Sequence, residues 1–399
     1  MRIPMRPLSI VPLLPLVVLL ACHKDTKDGE DQETDVGTDS GPTVSPYAED
    51  DLGSWLSMKA TTDGKPAIAF YDRTQDALGY AVGTVSGATV SWAIEAVDSF
   101  PDDNGLNPGD AGRYASMVMS SAGEPWIVYQ DTSNGSLKYA HKTGGTWTVG
   151  GADSGTGSHP DAGNWATVAL DLAGNPVAAH YDRGAGNLRV TRWSGSAWAA
   201  EGTITGEDYT PADDGDSATV EATVTADVGE YAKIAVGPSG TEYIAFYDRA
   251  WGALRMAMHP SGGSWTVETI DDTADVGQWP DIVIDGGQVY IAYQDVTNQD
   301  LKLAVGSPGS WSIETLDAGD YVGADSALFV DGGAAQVVYF DGYNNDVKRV
   351  QSSGGGWSAA KVAGDGVALG YHNETVSLGG TRYAACYDYT NRTVWFSAL

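Results

Sequence analysis

One phrase recurs seven times along this chain, and a motif repeated at that spacing restricts the fold more than any other feature of the sequence. It reads IAFYDRTQDALGYA from Ile68, IVYQDTSNGSLKYA from Ile127, AAHYDRGAGNLRVT from Ala178 and IAFYDRAWGALRMA from Ile244. Three further copies follow, IAYQDVTNQDLKLA from Ile291, VVYFDGYNNDVKRV from Val337 and AACYDYTNRTVWFS from Ala384. An aspartate holds the same place in each copy: Asp72, Asp131, Asp182, Asp248, Asp295, Asp341 and Asp388. The intervals between them are 59, 51, 66, 47, 46 and 47 residues, and the longest falls well short of two units of 46 or 47, so no eighth copy is hidden. A pair of β-sandwiches does not repeat one motif seven times, which argues against that alternative and, with the unit size, against a solenoid.

Within a unit, alternation and β-rich composition mark four strands. In the fifth, Ile282 to Ile284, Val289 to Gln294, Leu301 to Val305 and Trp311 to Leu316 read as strands A to D, separated by turns such as Asp285-Gly286-Gly287 and Thr297-Asn298-Gln299-Asp300. The 51 Gly, 13 Trp and 20 Tyr, against only 6 Phe, favour tight turns and amphipathic aromatics over a helical core. Four antiparallel strands at this period predict an all-β chain, a seven-bladed β-propeller over residues 42–399. The last unit stops at Leu399, eleven residues past Asp388, with strand C but no strand D. Thr43-Val44-Ser45-Pro46-Tyr47 precedes Asp51-Leu52-Gly53-Ser54-Trp55 as Thr266-Val267-Glu268-Thr269-Ile270 precedes Asp275-Val276-Gly277-Gln278-Trp279. Residues 42–48 are therefore expected to complete the seventh blade and remove the edge an incomplete ring would leave.

The front of the chain carries an address. Residues 1–21 place Arg2 and Arg6 before an apolar run through Val17, Val18, Leu19 and Leu20, the layout of a secretory signal peptide and too short and Pro-interrupted for a good membrane span. Leu19-Leu20-Ala21-Cys22 resembles the lipobox of bacterial lipoproteins, which implies that Cys22 is lipidated and becomes the new N-terminus. By the same likeness, His23 stands where an Asp would retain a lipoprotein in the inner membrane, so the outer membrane or cell surface of a Gram-negative bacterium is the expected location. Residues 23–41 contain seven acids, two lysines and a single branched aliphatic residue, Val36, so 22–41 reads as a lipidated cysteine on a disordered tether. The net charge is −31, and about −28 of it belongs to residues 42–399. A surface this acidic cannot neutralise a phosphate backbone, which excludes nucleic acid as a partner.

In a propeller the B to C turns and the D to A connections emerge on one face. The repeated aspartates lie on that face, as does a second phrase, Gly then any residue then an aromatic, giving Trp55, Tyr114, Trp165, Tyr231 and Trp279 on innermost strands near the channel mouth. Long D to A insertions near residues 99–111, 151–163 and 201–226 are expected to rim the same mouth. The aspartates read foremost as turn caps. A ring of Ca²⁺ ligands is the bolder reading, but hard cations need several oxygens converging within about 2.6 Å, and one Asp per blade does not provide them. The aromatics serve either blade packing or sugar stacking.

Breaks in the repeat are the sharper signal. Blade six has Asp325 where five blades have Trp or Tyr, and blade seven reads Gly370-Tyr371-His372-Asn373-Glu374, with a register open by one residue. Asp325, Tyr371 and His372, with Glu374 in one register, thus form a candidate site, against a reading in which terminal blades simply degenerate. His180 and Cys386 replace aromatics two positions before the repeated Asp and read as core substitutions. No H-E-x-x-H, G-x-S-x-G, phosphate-loop or dinucleotide fingerprint is present.

With phrases such as IVYQDTSNGSLKYA followed by Gly-Thr-Trp-Thr-Val, the repeat resembles those of secreted and lipid-anchored β-propeller proteins of delta-class and similar Gram-negative bacteria, and distantly the seven-bladed fucose-binding lectins. Arg73, Arg183 and Arg249 give a further distant likeness to sialidase propellers, but the S-x-D-x-G-x-x-W turns of that family are absent. The resemblance speaks to fold and compartment, since propellers host both lectins and enzymes; the expectation is a monomeric cell-surface lipoprotein whose propeller works as a recognition module at the channel mouth, with glycans the leading ligand class and another surface protein next. A carbohydrate-active hydrolase or lyase using acids and His372 is the alternative of a different class, and a purely structural surface protein is the third. No cofactor is expected, Ca²⁺ at the aspartates being the one candidate.

Overall fold

The computed structural model describes residues 50–100, 108–156, 160–209 and 224–399. They form 27 strands and, among the described residues, no helix. Seven antiparallel sheets follow one another in chain order, six of four strands and the last, Leu369–Leu378, Thr381–Asp388 and Thr393–Ala398, of three. Each innermost strand packs against those of the blades before and after, and that of blade seven packs against Leu52–Ala60 of blade one, so the seven sheets close a ring. This is the seven-bladed all-β propeller that the repeat predicts. The expected closing strand at 42–48, Cys22 and the tether lie outside the described residues, as do parts of the three long D to A insertions.

The core is laid down between blades. The second strand of blades one to three is buried along its whole length, because strand B faces apolar neighbours on both sides. One cluster joins Leu301 and Leu303 of blade five to Leu328, Val337 and Val350 of blade six. The outermost strands alternate instead, as in Thr89–Asp98, since only one side is covered.

Polar ties repeat with the same period. Tyr129, Tyr293 and Tyr339, all fully buried, hydrogen-bond Asp98, Asp271 and Asp317 at the ends of the preceding blades' outer strands, at 2.6, 2.7 and 2.5 Å. Lys302 reaches the same Asp271 at 2.5 Å. In blade three His180 takes this role: its Nδ1 accepts the Gly163 N–H at 3.1 Å, so Nε2 carries the proton toward Asp153 at 3.3 Å. Arg189 pairs with the same carboxylate at 2.8 Å. Burial alone would raise the Asp153 pKa, but the hydrogen bonds from His180 and from the Gly155 N–H, and then the Arg189 guanidinium, hold it down to about 2. Cys386 is wholly buried and its thiol is pushed far up by that burial, so neither residue acts as a nucleophile or its base.

Candidate functional site

Seven residues, one per blade, share an unusual backbone. Trp55, Tyr114, Trp165, Tyr231, Trp279, Asp325 and His372 all have φ between 45° and 57°. Each sits in a bulge of its innermost strand. In blade one, Ser54 pairs with Tyr71 and Ser57 with Ala69, so three steps on the inner strand match two on its neighbour, and the other six blades repeat the offset. A left-handed conformation costs a bulky residue about 1–2 kcal/mol, and its recurrence at one position per blade marks a place where side-chain direction outweighs local comfort. The Gly two positions earlier is required by space: a Cβ on Gly277, at φ +102°, would lie 2.6 Å from Leu254 Cα, and one on Gly112 would lie 2.8 Å from Leu78 N. The Gly-x-aromatic phrase is thus a close approach between blades followed by a bulge.

The bulges gather these side chains around a cavity of about 250 Å³. Successive ring centroids lie 5.3 Å apart from Trp55 to Tyr114, 5.3 Å to Trp165, 4.8 Å to Tyr231 and 4.5 Å to Trp279. The ring planes tilt by 44–54° from neighbour to neighbour, so the five form a curved wall. His372 continues it at 5.4 Å from Trp55, and Asp325, whose Oδ1 is 3.6 Å from His372 Nδ1, fills the remaining arc. The open register is thereby resolved: His372 holds the ring position. Tyr371 is not among the cavity-lining residues and packs against Phe340 and Tyr389, at 4.6 and 5.9 Å.

Two residues beyond each wall residue, a second layer crosses the channel. Ser57, Ser116 and Thr167 accept hydrogen bonds at 3.2 Å from Met117 N, Val168 N and Ile234 N of the next blade. Asp281 does the same for Leu328 N at 2.7 Å. At the equivalent places blade four has Lys233 and blade seven has Glu374, and the two meet at 4.0 Å, with Lys59 also 3.5 Å from Glu374. The cavity is therefore a cup with an aromatic wall and a charged floor. Sequence reading missed Lys233; the signal is a position otherwise held by Ser or Thr in the first three blades that turns to Lys, Asp and Glu in the fourth, fifth and seventh.

The electrostatics of the cup are uneven. Burial raises the Asp325 carboxyl to about 7, only partly opposed by the His372 backbone N–H and the Lys233 charge. Burial, then the positive charges of Lys233 and Arg73, lowers His372 to about 3, so its imidazole is neutral at pH 7. Burial also works against the charge on Lys233, but Glu374, Asp281 and Asp325 more than compensate and hold its pKa above the ordinary lysine value.

The repeated aspartates act on their own turns. Asp131, Asp295, Asp341 and Asp388 each accept a backbone N–H and a side-chain amide from the Asn three residues later, with bonds of 2.7–3.1 Å. Asp72, Asp182 and Asp248 lack that Asn; Asp182 takes Thr156 instead, Asp248 pairs with Arg255 at 2.8 Å, and one buried oxygen of Asp72 has no hydrogen-bond partner. Arg73, Arg183 and Arg249 pair separately with Asp51, Asp161 and Glu230. Elsewhere Glu201, Glu242 and His259 bring ligand atoms within 4.8 Å of one another, but Arg192 already pairs with both glutamates, which makes this a rim ion network.

No protein-family model and no curated protein matches this chain. Solved structures do. A polysaccharide lyase, Uly1, is similar with a TM-score of 0.51 and 11% identity, over 86% of this chain and 89% of its own. A protein of unknown function from Dyadobacter fermentans is similar with a TM-score of 0.50 and 11% identity, over 78% and 93%. The fucose-specific lectin from Aleuria aurantia has a TM-score of 0.46 and 16% identity, over 76% and 93%. At these identities the likeness is one of fold.

Proposed function

We propose that this chain is a recognition module that seats a single sugar residue of a glycan in the aromatic cup. The observation that supports this most strongly is the convergence of five aromatic rings from five consecutive blades on a cavity of about 250 Å³ with polar groups at its base. That volume lies just below the roughly 300–1,000 Å³ of pockets for drug-sized ligands, so it accepts one ring-sized group at the end of a chain rather than a chain laid through it. The C–H faces of a pyranose pack on tilted aromatic walls, and its hydroxyls need partners once buried, which Lys233, Glu374 and Ser116 can supply. Display on lipid at Cys22, on the outer membrane or cell surface, suits such a role, with another surface protein as the next partner class.

A second reading, hydrolysis or elimination on a carbohydrate, is favoured by one observation. A carboxyl raised to about 7, Asp325, lines the same cup as Glu374, which two lysines hold in ion pairs. Two acids in such different surroundings suit a proton donor and an ionised partner. A glycan array, run with and without Ca²⁺ and followed by product analysis of every hit, separates the readings. Retained, intact ligand supports recognition, released or shortened ligand supports catalysis, and silence in both conditions overturns the sugar reading. Loss of binding on chelation would bring Ca²⁺ into the account.

A further inference from the structure

The cup is lined by two carboxyl groups, Asp325 and Glu374, and one lysine. Lys233, the one cationic side chain among the lining residues, is engaged with Glu374. Asp325 is 9% exposed and no lysine or arginine pairs with it among the described residues; its ion contact is the neutral His372. Next to it, Asn373 is buried and also lines the cup. Its Nδ2 donates to Asp325 O at 3.0 Å and Gly370 O at 2.8 Å, which fixes the amide orientation and leaves Oδ1 buried without a partner.

The wall adds attraction of the same sign. Five aromatic side chains line one space, and cations, methylated ammonium groups above all, are held by aromatic surroundings. Trp55 already has the Arg113 guanidinium 5.7 Å from its ring centroid. The net charge of −31 raises the local concentration of cations at any cleft of this molecule.

Taking the cup as a ligand site, as in the reading above, we propose that it selects ligands bearing an ammonium group, held by Asp325 among the aromatic side chains of the wall. An amino sugar with a free amine and a choline-like head group share this chemistry. The groups facing Asp325 are His372, Lys233, Tyr231, Tyr371 and the Cys386 thiol, and with its carboxyl near 7 the attraction strengthens as pH rises from 6 to 8.

The test is calorimetric titration of the full chain with tetramethylammonium, glucosamine, N-acetylglucosamine and glucose, with sodium chloride as the ionic control. Tetramethylammonium carries its charge at every pH. It should bind roughly tenfold more tightly at pH 8 than at pH 6, following the ionised fraction of Asp325, and Asp325→Asn should abolish that dependence. Glucosamine should bind at least about tenfold more tightly than its N-acetylated form. If glucose, N-acetylglucosamine and glucosamine bind equally and tetramethylammonium is silent, the ammonium inference falls and the sugar reading stands. If tetramethylammonium binds and every sugar is silent, the inference stands and the sugar reading falls. Silence from all four overturns both, and because the comparison among ligands uses the unmodified chain, it does not depend on the folding of the variant.

Discussion

Lys233 of the fourth blade approaches Glu374 of the seventh to 4.0 Å, joining blades that are not neighbours in the ring. Glu374 also serves Lys59 at 3.5 Å, so it is shared by two ammonium groups, while among the described residues Lys233 makes this one ion pair. The asymmetry makes a prediction. Glu374→Gln leaves two like charges facing each other and should cost about 1–2 kcal/mol in urea unfolding, whereas Lys233→Met, which leaves Glu374 its second partner, should cost no more than about half of that. Both penalties should shrink in 0.5 M salt, where the Debye length falls to a few ångströms. Equal costs for the two variants would contradict the shared-carboxylate geometry.

Asp72 gives a stabilising substitution. Gln75 N–H already donates to its Oδ1 at 3.1 Å, while Oδ2 is buried and unpaired. Gln75→Asn reproduces the arrangement in which Asn391 donates to Asp388 Oδ2 at 2.7 Å, at the loss of a 3.3 Å bond from the Gln75 amide to Asp50. The urea midpoint should rise by the equivalent of about 1 kcal/mol. An unchanged or lower midpoint would show that the free oxygen is already satisfied.

Gly277 and Gly286 both have positive φ but differ in their surroundings. A Cβ on Gly277 meets Leu254 backbone at 2.6 Å, whereas one on Gly286 meets nothing within 4 Å. Gly277→Ala should therefore cost about 2–4 kcal/mol, strain and overlap together, and Gly286→Ala about 1 kcal/mol from strain alone. Chemical denaturation of the two variants side by side measures the difference; similar losses would mean that the blades separate easily at Gly277.

The pH dependence has opposite signs at two acids. Asp325 is raised to about 7, so the folded chain binds more protons there than the unfolded chain between about 4 and 7, and this site's contribution to stability falls as pH rises through that window. Asp153 is lowered to about 2, so its contribution is full above about 4 and is lost as pH falls toward 2. Melting curves should show Asp325→Asn gaining on the parent chain from pH 5 to pH 8. Asp153→Asn should be weaker than the parent at pH 5 and approach it near pH 2. A constant offset across the range would contradict either assignment.

The architecture was legible because each blade must repeat the same turn and the same buried strand, so Asp72 through Asp388 set both count and period. The wall was legible for the same reason: Gly and the residue two places on recur together because the close approach and the bulge occur together. The floor was not. Lys233 and Glu374 are 141 residues apart and meet only because a ring brings blade four opposite blade seven, which no local pattern records. Tyr371 and His372 could not be told apart without the bulge, since one step of register decides which of them enters the channel.

The most direct test of the central claim uses the tryptophans themselves. The chain has 13, of which Trp55, Trp165 and Trp279 line the cup. With indole nitrogens labelled and assigned by single Trp→Phe substitutions, NMR titration with the tightest-binding array sugar should shift the signals of those three and leave rim residues such as Trp147 and Trp311 unmoved. Shifts confined to rim tryptophans, or no shift at saturating sugar, would contradict the assignment of the channel mouth as the recognition site.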